Sequence, residues 1–461
     1  MSGLRSGGLP GKERRVGRAV DAVSGVDEER IVADFYRQYG MDHRDLDMEH
    51  CTAAFIEEIE RGLEGKKSSL PMLPSYIEVE KEIPRDERVI VLDAGGTNFR
   101  VATVYFDKDL SPVVEDFSTH RMPGSEGEVG KKQFFETISG YLEQVAGKCS
   151  RIGFCFSYPT EALPDKDGIL LYTSKELLVP EVIGESIGKN LRESLKRSGH
   201  GGIESVVLLN DTVSTLLAGR TAGRRRDFSS YIGFILGTGS NCSYIEKNSN
   251  IRKVEGLERA GSQVINAESG AFGKAPRGVL DERFDSRTKD PGVHTFEKMI
   301  SGRYLGGLCA EVIRAAAEDG LFSAVSKKRL SAVETVDAVA INDYLRFTKS
   351  SGSSLGKLVE GAPEPDRVTL YHLIDRLVER AAKLTAVHLS AFVLKGRGGL
   401  NPCSPVCITA EGSVFYGLAD LKTRVVCYLK RYLMEKKKRY YEIVEVENAP
   451  LIGAAVAGLT N

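Results

Sequence analysis

A chain of 461 residues is long enough for two domains, and at 41% hydrophobic it can bury large cores. Its 28% charged residues nearly cancel to a formal net charge of −1, so bulk charge implies no nucleic-acid or other polyanion partner. No apolar run approaches ~18 residues, so no membrane span is expected, and eight scattered cysteines read as reduced thiols of a cytoplasmic protein.

Residues 1–20 are rich in Gly, Arg and Ser and lack an apolar core, which predicts a disordered basic tail rather than a secretory signal. A helix follows from Val26, with Ile31, Val32, Phe35 and Tyr36 on one face. A second is expected over 50–63, with Phe55, Ile56, Ile59 and Leu63 inward and Gly62 and Gly65 ending it. A proline-punctuated crossing, 69–76, leads into the first strand.

Residues 89–92 are a short β-branched apolar run, and 99–106 are a second strand rich in Val, Thr and Tyr. Between them lie Asp93, Gly95, Gly96, Thr97 and Asn98. An ordinary hairpin fits this pattern. So does a concavity of backbone N–H groups that binds an anion, with Asp93 beside it to orient a cation or a water. Residues 231–245 repeat the plan, with Gly237, Thr238 and Gly239 in the turn. Two such hairpins far apart suggest a duplicated nucleotide-binding half. Neither is a P-loop or a Rossmann turn.

Between the hairpins, 132–145 reads as a helix, 150–157 as a strand, 182–198 as a helix, and 205–209 as a strand ending in Asn210 and Asp211. Polar residues at the ends of α/β strands sit where ligands bind. Asp211 also suits a helix N-cap, since a helical run begins at Thr212. Beyond the second hairpin helical patterns dominate to Lys395, with 351–365 the loosest internal segment. A strand at 406–409 precedes a tight turn at 411–415, and a basic helix runs to Arg439, its 436–439 cluster reading as a solvated helix end. Arg224 to Arg226 read as an exposed loop, and Cys403 and Cys407 as packed or loop thiols. The chain closes with a strand over 441–446 and a Gly/Ala-rich helix over 450–459.

Taken together, several segments resemble the hexokinase/glucokinase family of the actin-like ATPase and sugar-kinase superfamily. They are Leu-Pro-Met-Leu-Pro-Ser-Tyr at 70–76, Leu-Asp-Ala-Gly-Gly-Thr-Asn-Phe-Arg at 92–100, Phe-Cys-Phe-Ser-Tyr-Pro at 154–159 and Leu-Asn-Asp-Thr-Val at 209–213. Leu-Gly-Thr-Gly-Ser-Asn at 236–241, Asn-Ala-Glu-Ser-Gly-Ala-Phe-Gly at 266–273 and Phe-Glu-Lys-Met-Ile-Ser-Gly at 296–302 continue the series. The resemblance implies two α/β lobes of ribonuclease-H-like, actin-like topology around a deep cleft. The smaller lobe would take 76–210 plus 441–461 and the larger 211–440, with the helices of 21–75 packed on the larger. It implies transfer of the ATP γ-phosphoryl group to the 6-hydroxyl of a hexose, the entry step of glycolysis. Glucose is the first expectation, with mannose and fructose as alternatives.

By the same resemblance Asp211 is the catalytic base and Lys175 offsets charge near the transferring group. Ser157, Ser174, Lys175, Asn210, Asp211, Asn241, Glu268 and Glu297 bind the sugar. Asp93, Gly95, Gly96, Thr97 and Asn98 form the first phosphate loop, Gly237, Thr238 and Gly239 the second, and Gly412 and Ser413 the adenosine-side turn. Mg²⁺ would be held with the nucleotide, partly by Asp93 through water. The expected partners are a hexose and, as monomer or homodimer, at most a second copy of the chain. This chain departs from the family pattern in having Thr173 and Ser269 where the family has tryptophan, Glu411 where it has Asp, and Asn448 to Ile452 in place of a Gly/Ser-rich lead. A hexose sensor with little kinase activity, and a cytoskeletal or chaperone-type ATPase, are the competing readings.

Overall fold

The computed structural model describes residues 26–173, 177–348 and 353–461. The expected tail, Ser174, Lys175 and the start of the 351–365 segment lie outside the described residues. Thirteen strands follow in chain order: β1 (Leu73–Pro74), β2 (Val89–Gly95), β3 (Asn98–Phe106), β4 (Pro112–Arg121), β5 (Arg151–Phe156), β6 (Thr160–Ala162), β7 (Gly168–Leu170), β8 (Ser205–Leu209), β9 (Ser230–Leu236), β10 (Ser240–Lys247), β11 (Ser262–Asn266), β12 (Val406–Glu411) and β13 (Tyr441–Val444).

They build two main sheets on one plan. The five-stranded sheet runs β4-β3-β2-β5-β8, and the six-stranded sheet runs β11-β10-β9-β12-β13 with β1 added at its edge. In each, the first three strands form an antiparallel meander and the last two join in parallel. This is the ribonuclease-H-like arrangement, present twice. It corrects one expectation. The strand at Tyr441–Val444 pairs with β12 in the six-stranded sheet, not with the smaller lobe. Each copy of the plan needs a second parallel strand beyond its hairpin, and β13 is that strand for the second copy.

The sequence character of each strand follows its place. Central β2 is an apolar run buried on both faces, while edge strand β4 is polar and half-exposed. Each copy ends in a helix that crosses to the other sheet. Helix Asp211–Gly219 packs on β9 and β12, helix Ala449–Thr460 packs on β2 and β5, and the two pack on each other. Their apolar faces form a core shared by both lobes, with Val213, Leu216, Leu217, Leu451, Ile452 and Val456 inside it. Glycine permits the approach: a Cβ at Gly153 would overlap the carbonyl oxygen of Ala454, and one at Gly233 that of Thr212.

The six-stranded lobe is filled by helix Glu364–Lys395, whose second half is buried on all sides over 384–393 and is therefore central. Helices Val26–Gln38 and Met48–Leu63 pack against it. Tyr36 Oη donates to the Leu373 carbonyl at 2.6 Å, and the Phe55 ring stacks on His388 at 5.3 Å between centroids. Ile31 is 47% exposed although its helix was expected to turn it inward. Val32, Phe35 and Tyr36 take the inner face, and Ile31 lies about 100° round the helix from Val32. The basic stretch before β13 also differs from expectation. It is α-helical only over Leu421–Leu429 and continues as a π-helix over Lys430–Lys437. Among the described residues no helix is long and apolar enough to cross a membrane.

Candidate active site

The β2–β3 hairpin closes with Gly95 opposite Asn98, and Gly96 takes φ +65° in its turn. Thr97 and Asn98 are exposed there. Two contacts fix this turn from the β5 side: Tyr158 Oη donates to the Gly96 carbonyl at 2.7 Å, and the Ser157 N–H donates to Ala94 O at 3.0 Å. Asp93 sits opposite Arg100 across the hairpin, and Arg100 Nη1 donates to its carboxylate at 2.9 Å. Burial raises the pKa of Asp93 and Arg100 opposes the shift.

The β9–β10 turn is tighter, with the Gly237 N–H donating to Gly239 O at 2.9 Å. The N-terminus of helix Gly302–Glu318 buttresses it: the Gly302 N–H donates to Gly237 O at 2.9 Å and the Arg303 N–H to Thr238 O at 3.1 Å. Gly412, at φ +117°, brings the end of β12 against Leu236 and Gly237, and a side chain at Gly412 would overlap the Leu236 carbonyl. The β9–β10 turn and the Gly412–Ser413 turn thus form one surface, with the Arg303 side chain exposed beside it.

Between the two turns lies the start of helix Asp211–Gly219. Asn210 is its cap, its Oδ1 accepting from the Thr212 N–H at 2.9 Å and from Thr212 Oγ1 at 2.6 Å. Asp211 therefore occupies the first helical position, its Oδ1 2.8 Å from the same N–H. Glu411, at the end of β12, faces this point. Burial first, then the carboxylates of Asp211 and Asp93, push its carboxyl up to about 7, against a hydrogen bond from the Ala449 N–H. Burial also raises the Cys155 thiol, and again Asp93 and Asp211 add to the shift. Three carboxylates therefore share one region at the junction of the crossed helices. Among the described residues no three such groups are close enough together to hold a metal ion by themselves.

A polar network extends from this point along the six-stranded sheet. Asn241 Nδ2 donates to Asn266 Oδ1 at 2.9 Å, Glu268 Oε1 at 3.3 Å and Thr212 Oγ1 at 3.4 Å. Asn266 Nδ2 donates to Glu268 Oε1 at 2.8 Å, and the Ser269 N–H donates to Asn241 Oδ1 at 3.2 Å. Glu268 is held at φ +50°, a left-handed conformation that a residue with a Cβ adopts only under constraint. Glu297 Oε2 accepts the Ser240 N–H at 2.8 Å. Burial raises both glutamates; His294 opposes the shift in each, and Glu297 adds to that of Glu268.

The structure therefore gathers Asn210, Asp211, Asn241, Glu268 and Glu297 into one connected patch. Ser157 lies on the opposite sheet beside Gly95, a Cβ at Gly95 being 3.6 Å from its Oγ. The expected roles of Ser174 and Lys175 fall outside the described residues. Sequence reasoning did not single out Tyr158, Thr212, Asn266, His294 or Arg303 as site residues. Asn266 was within reach, as a polar residue at a strand end like Asn210. Nothing local marks His294, which reaches Glu268 and Glu297 only through the fold.

Two family models, both described as hexokinase, match residues 31–221 and 231–460. Hexokinase-5 of Oryza sativa subsp. japonica is 31% identical over 366 residues, 74% of this chain and 71% of the relative. Hexokinase-1 of Schizosaccharomyces pombe is 28% identical over 429 residues, 89% and 86% of the two chains. A solved hexokinase from Schistosoma mansoni, complexed with glucose, shares the fold with a TM-score of 0.73 at 22% identity, covering 95% of this chain and 100% of that one.

Proposed function

The chain belongs to the hexokinase family and phosphorylates a hexose; we propose that it passes the ATP γ-phosphoryl group to the 6-hydroxyl of glucose in preference to other hexoses. The observation that carries this reading is the position of Asp211. It adjoins the Asn241–Asn266–Glu268 network through Thr212, and it acts on Glu411 together with Asp93, at the strand ends beside both glycine turns.

A hexose offers hydroxyls in fixed directions, and each needs a donor or acceptor once water is removed. Asn241, Glu268 and Glu297 supply these from the larger lobe, Ser157, Ser174 and Lys175 from the smaller, and Asn210 from the junction between them. Asp211 accepts the 6-hydroxyl proton as the oxygen bonds to the γ-phosphorus, and the bond from phosphorus to the bridging oxygen of ADP breaks in line. The proton ends on Asp211 and the electron pair on ADP. Backbone N–H groups of the two turns steady the phosphate oxygens, and Gly412–Ser413 carries the adenosine side. The carboxyl groups of Asp93 and Asp211, with Glu411 beside them, suit a cation that arrives with the nucleotide. Asp93 would hold Mg²⁺ through water, and the ion would supply neutralisation of phosphate charge.

A coupled assay of ADP release against glucose, mannose and fructose, with ATP and other phosphate donors, tests this. ADP and hexose 6-phosphate should appear in equal amounts, fastest with glucose and ATP. Hexose binding without turnover would make the protein a sensor, and ATP turnover indifferent to hexose would make it a plain ATPase.

A further inference from the structure

The larger lobe carries a wide-mouthed pocket on its surface, remote in sequence from the two glycine turns. It measures about 350 Å³ and opens between the start of helix Met48–Leu63, the long helix Glu364–Lys395 and the π-helix Lys430–Lys437. That volume suits a small metabolite rather than a polymer. Three cations line it, Lys383, Arg431 and Lys436, with the rings of Tyr428 and Tyr432 between them.

The π-helix is what brings two of these cations together. Its i→i+5 bonding widens the turn and brings residues five apart toward the same side, and Arg431 and Lys436 both line this pocket. In an α-helix the same spacing would part them by about 140°. Long π-helical runs are rare and concentrate at functional sites.

The charges there are only partly answered. Arg431 forms no hydrogen bond or ion pair among the described residues. Lys383 is half-buried and spends one donor on the His43 carbonyl at 2.8 Å, its ammonium 5.7 Å from the Tyr428 ring centroid. Burial lowers its pKa, against the opposing pull of Cys51, Asp47, Asp42 and Asp45. Lys436 shares Glu49 with Lys437, at 3.0 Å from its own ammonium. The one acid lining the cavity, Asp47, is engaged as a helix cap, its Oδ1 accepting the N–H of Glu49 at 2.8 Å and of His50 at 3.3 Å.

We infer that this cavity is a binding site for a small phosphate-bearing anion, with Arg431 and Lys383 gripping the phosphate, Lys436 adding charge at the rim, and the tyrosine rings covering the rest of the molecule. Guanidinium and ammonium donors make charge-assisted bonds to phosphate oxygens, and Arg431 has its full set of donors available.

Titration calorimetry with inorganic pyrophosphate tests this while glucose and a non-hydrolysable ATP analogue saturate the cleft. The wild-type protein should bind one further equivalent. Arg431→Gln changes an exposed, unpartnered side chain and should weaken that binding about tenfold or more with the melting temperature unchanged. Lys383→Gln should weaken it similarly. Lys328→Gln, an exposed cation on another helix, should have no effect. Absence of the further equivalent, wild-type affinity in Arg431→Gln, or an equal loss in Lys328→Gln would each overturn the proposal.

Discussion

Asn210 and Asp211 divide two tasks that a single aspartate could have combined. Asn210 caps the helix, so the Asp211 carboxylate is not needed to hold it. Asp211→Ala should therefore leave the fold and hexose binding largely intact while kcat falls ~10²–10⁴-fold. Calorimetry with glucose beside a steady-state assay measures both, and wild-type kcat in a folded variant would remove the residue from catalysis. Glu411 offers a pH test. Its folded pKa is raised to about 7 from an ordinary 4.5. A carboxyl raised in this way contributes its full stability below the unfolded pKa and loses it as pH rises through the folded one. Glu411→Gln should therefore melt close to wild type near pH 4.5 and gain on it steadily to pH 7, levelling off above. The final gap should be on the order of 3 kcal/mol. A gap that stays constant with pH would mean that Glu411 is not held in its neutral form.

The crossed helices Asp211–Gly219 and Ala449–Thr460 are the elements on which the site depends. Both start at the junction of the lobes, and each lies on the sheet of the other half. Their N-termini present Asp211 and the Ala449 N–H to the same region, which keeps Asp211 and Glu411 near each other. The close fit of helix Ala449–Thr460 on β5 depends on Gly153 having no side chain. Gly153→Val should cost ~3 kcal/mol of stability, read from urea unfolding, because the new atoms meet backbone rather than a side chain that can turn away. A variant as stable as wild type would show that the helix can lift from the sheet. The π-helix is a second case of an element setting function, since its winding, not its composition, aligns Arg431 with Lys436.

For the whole molecule, the distribution of the proposed sugar ligands over both lobes predicts motion. Ser157 belongs to the five-stranded sheet's lobe, and Asn241, Glu268 and Glu297 to the other. A ligand gripped from both sides binds the closed arrangement better, and that difference in affinity drives closure. Closure also removes water that would otherwise compete for the phosphoryl group. The chain has no tryptophan, so indole fluorescence cannot report it. Small-angle scattering should show the radius of gyration falling on addition of glucose alone. An unchanged curve at saturating glucose, in protein that turns glucose over, would sink the closure model.

Much of this was legible in the sequence because the features are local. A glycine turn between two apolar runs is written in contiguous residues, and both hairpins, β2–β3 and β9–β10, stand where those patterns lie. Asn210 and Asp211 stood out as polar residues at the end of an apolar strand, while Asn241 and Glu268 came through the family resemblance. Other features depend on residues brought together from far along the chain. The sheet that takes β13 was decided by a parallel partner, β12, about thirty residues upstream and across a helix. The raised pKa of Glu411 sums burial with charges on Asp93 and Asp211, both hundreds of residues away. His294 faces two glutamates, and Arg431 and Lys436 line one pocket, only once the backbone has taken its course. Apolar periodicity and turn chemistry act between neighbours, so the sequence determined the elements and the order of the motifs. Register between distant strands, shared burial and summed charge act through space, and these only the tertiary structure decided.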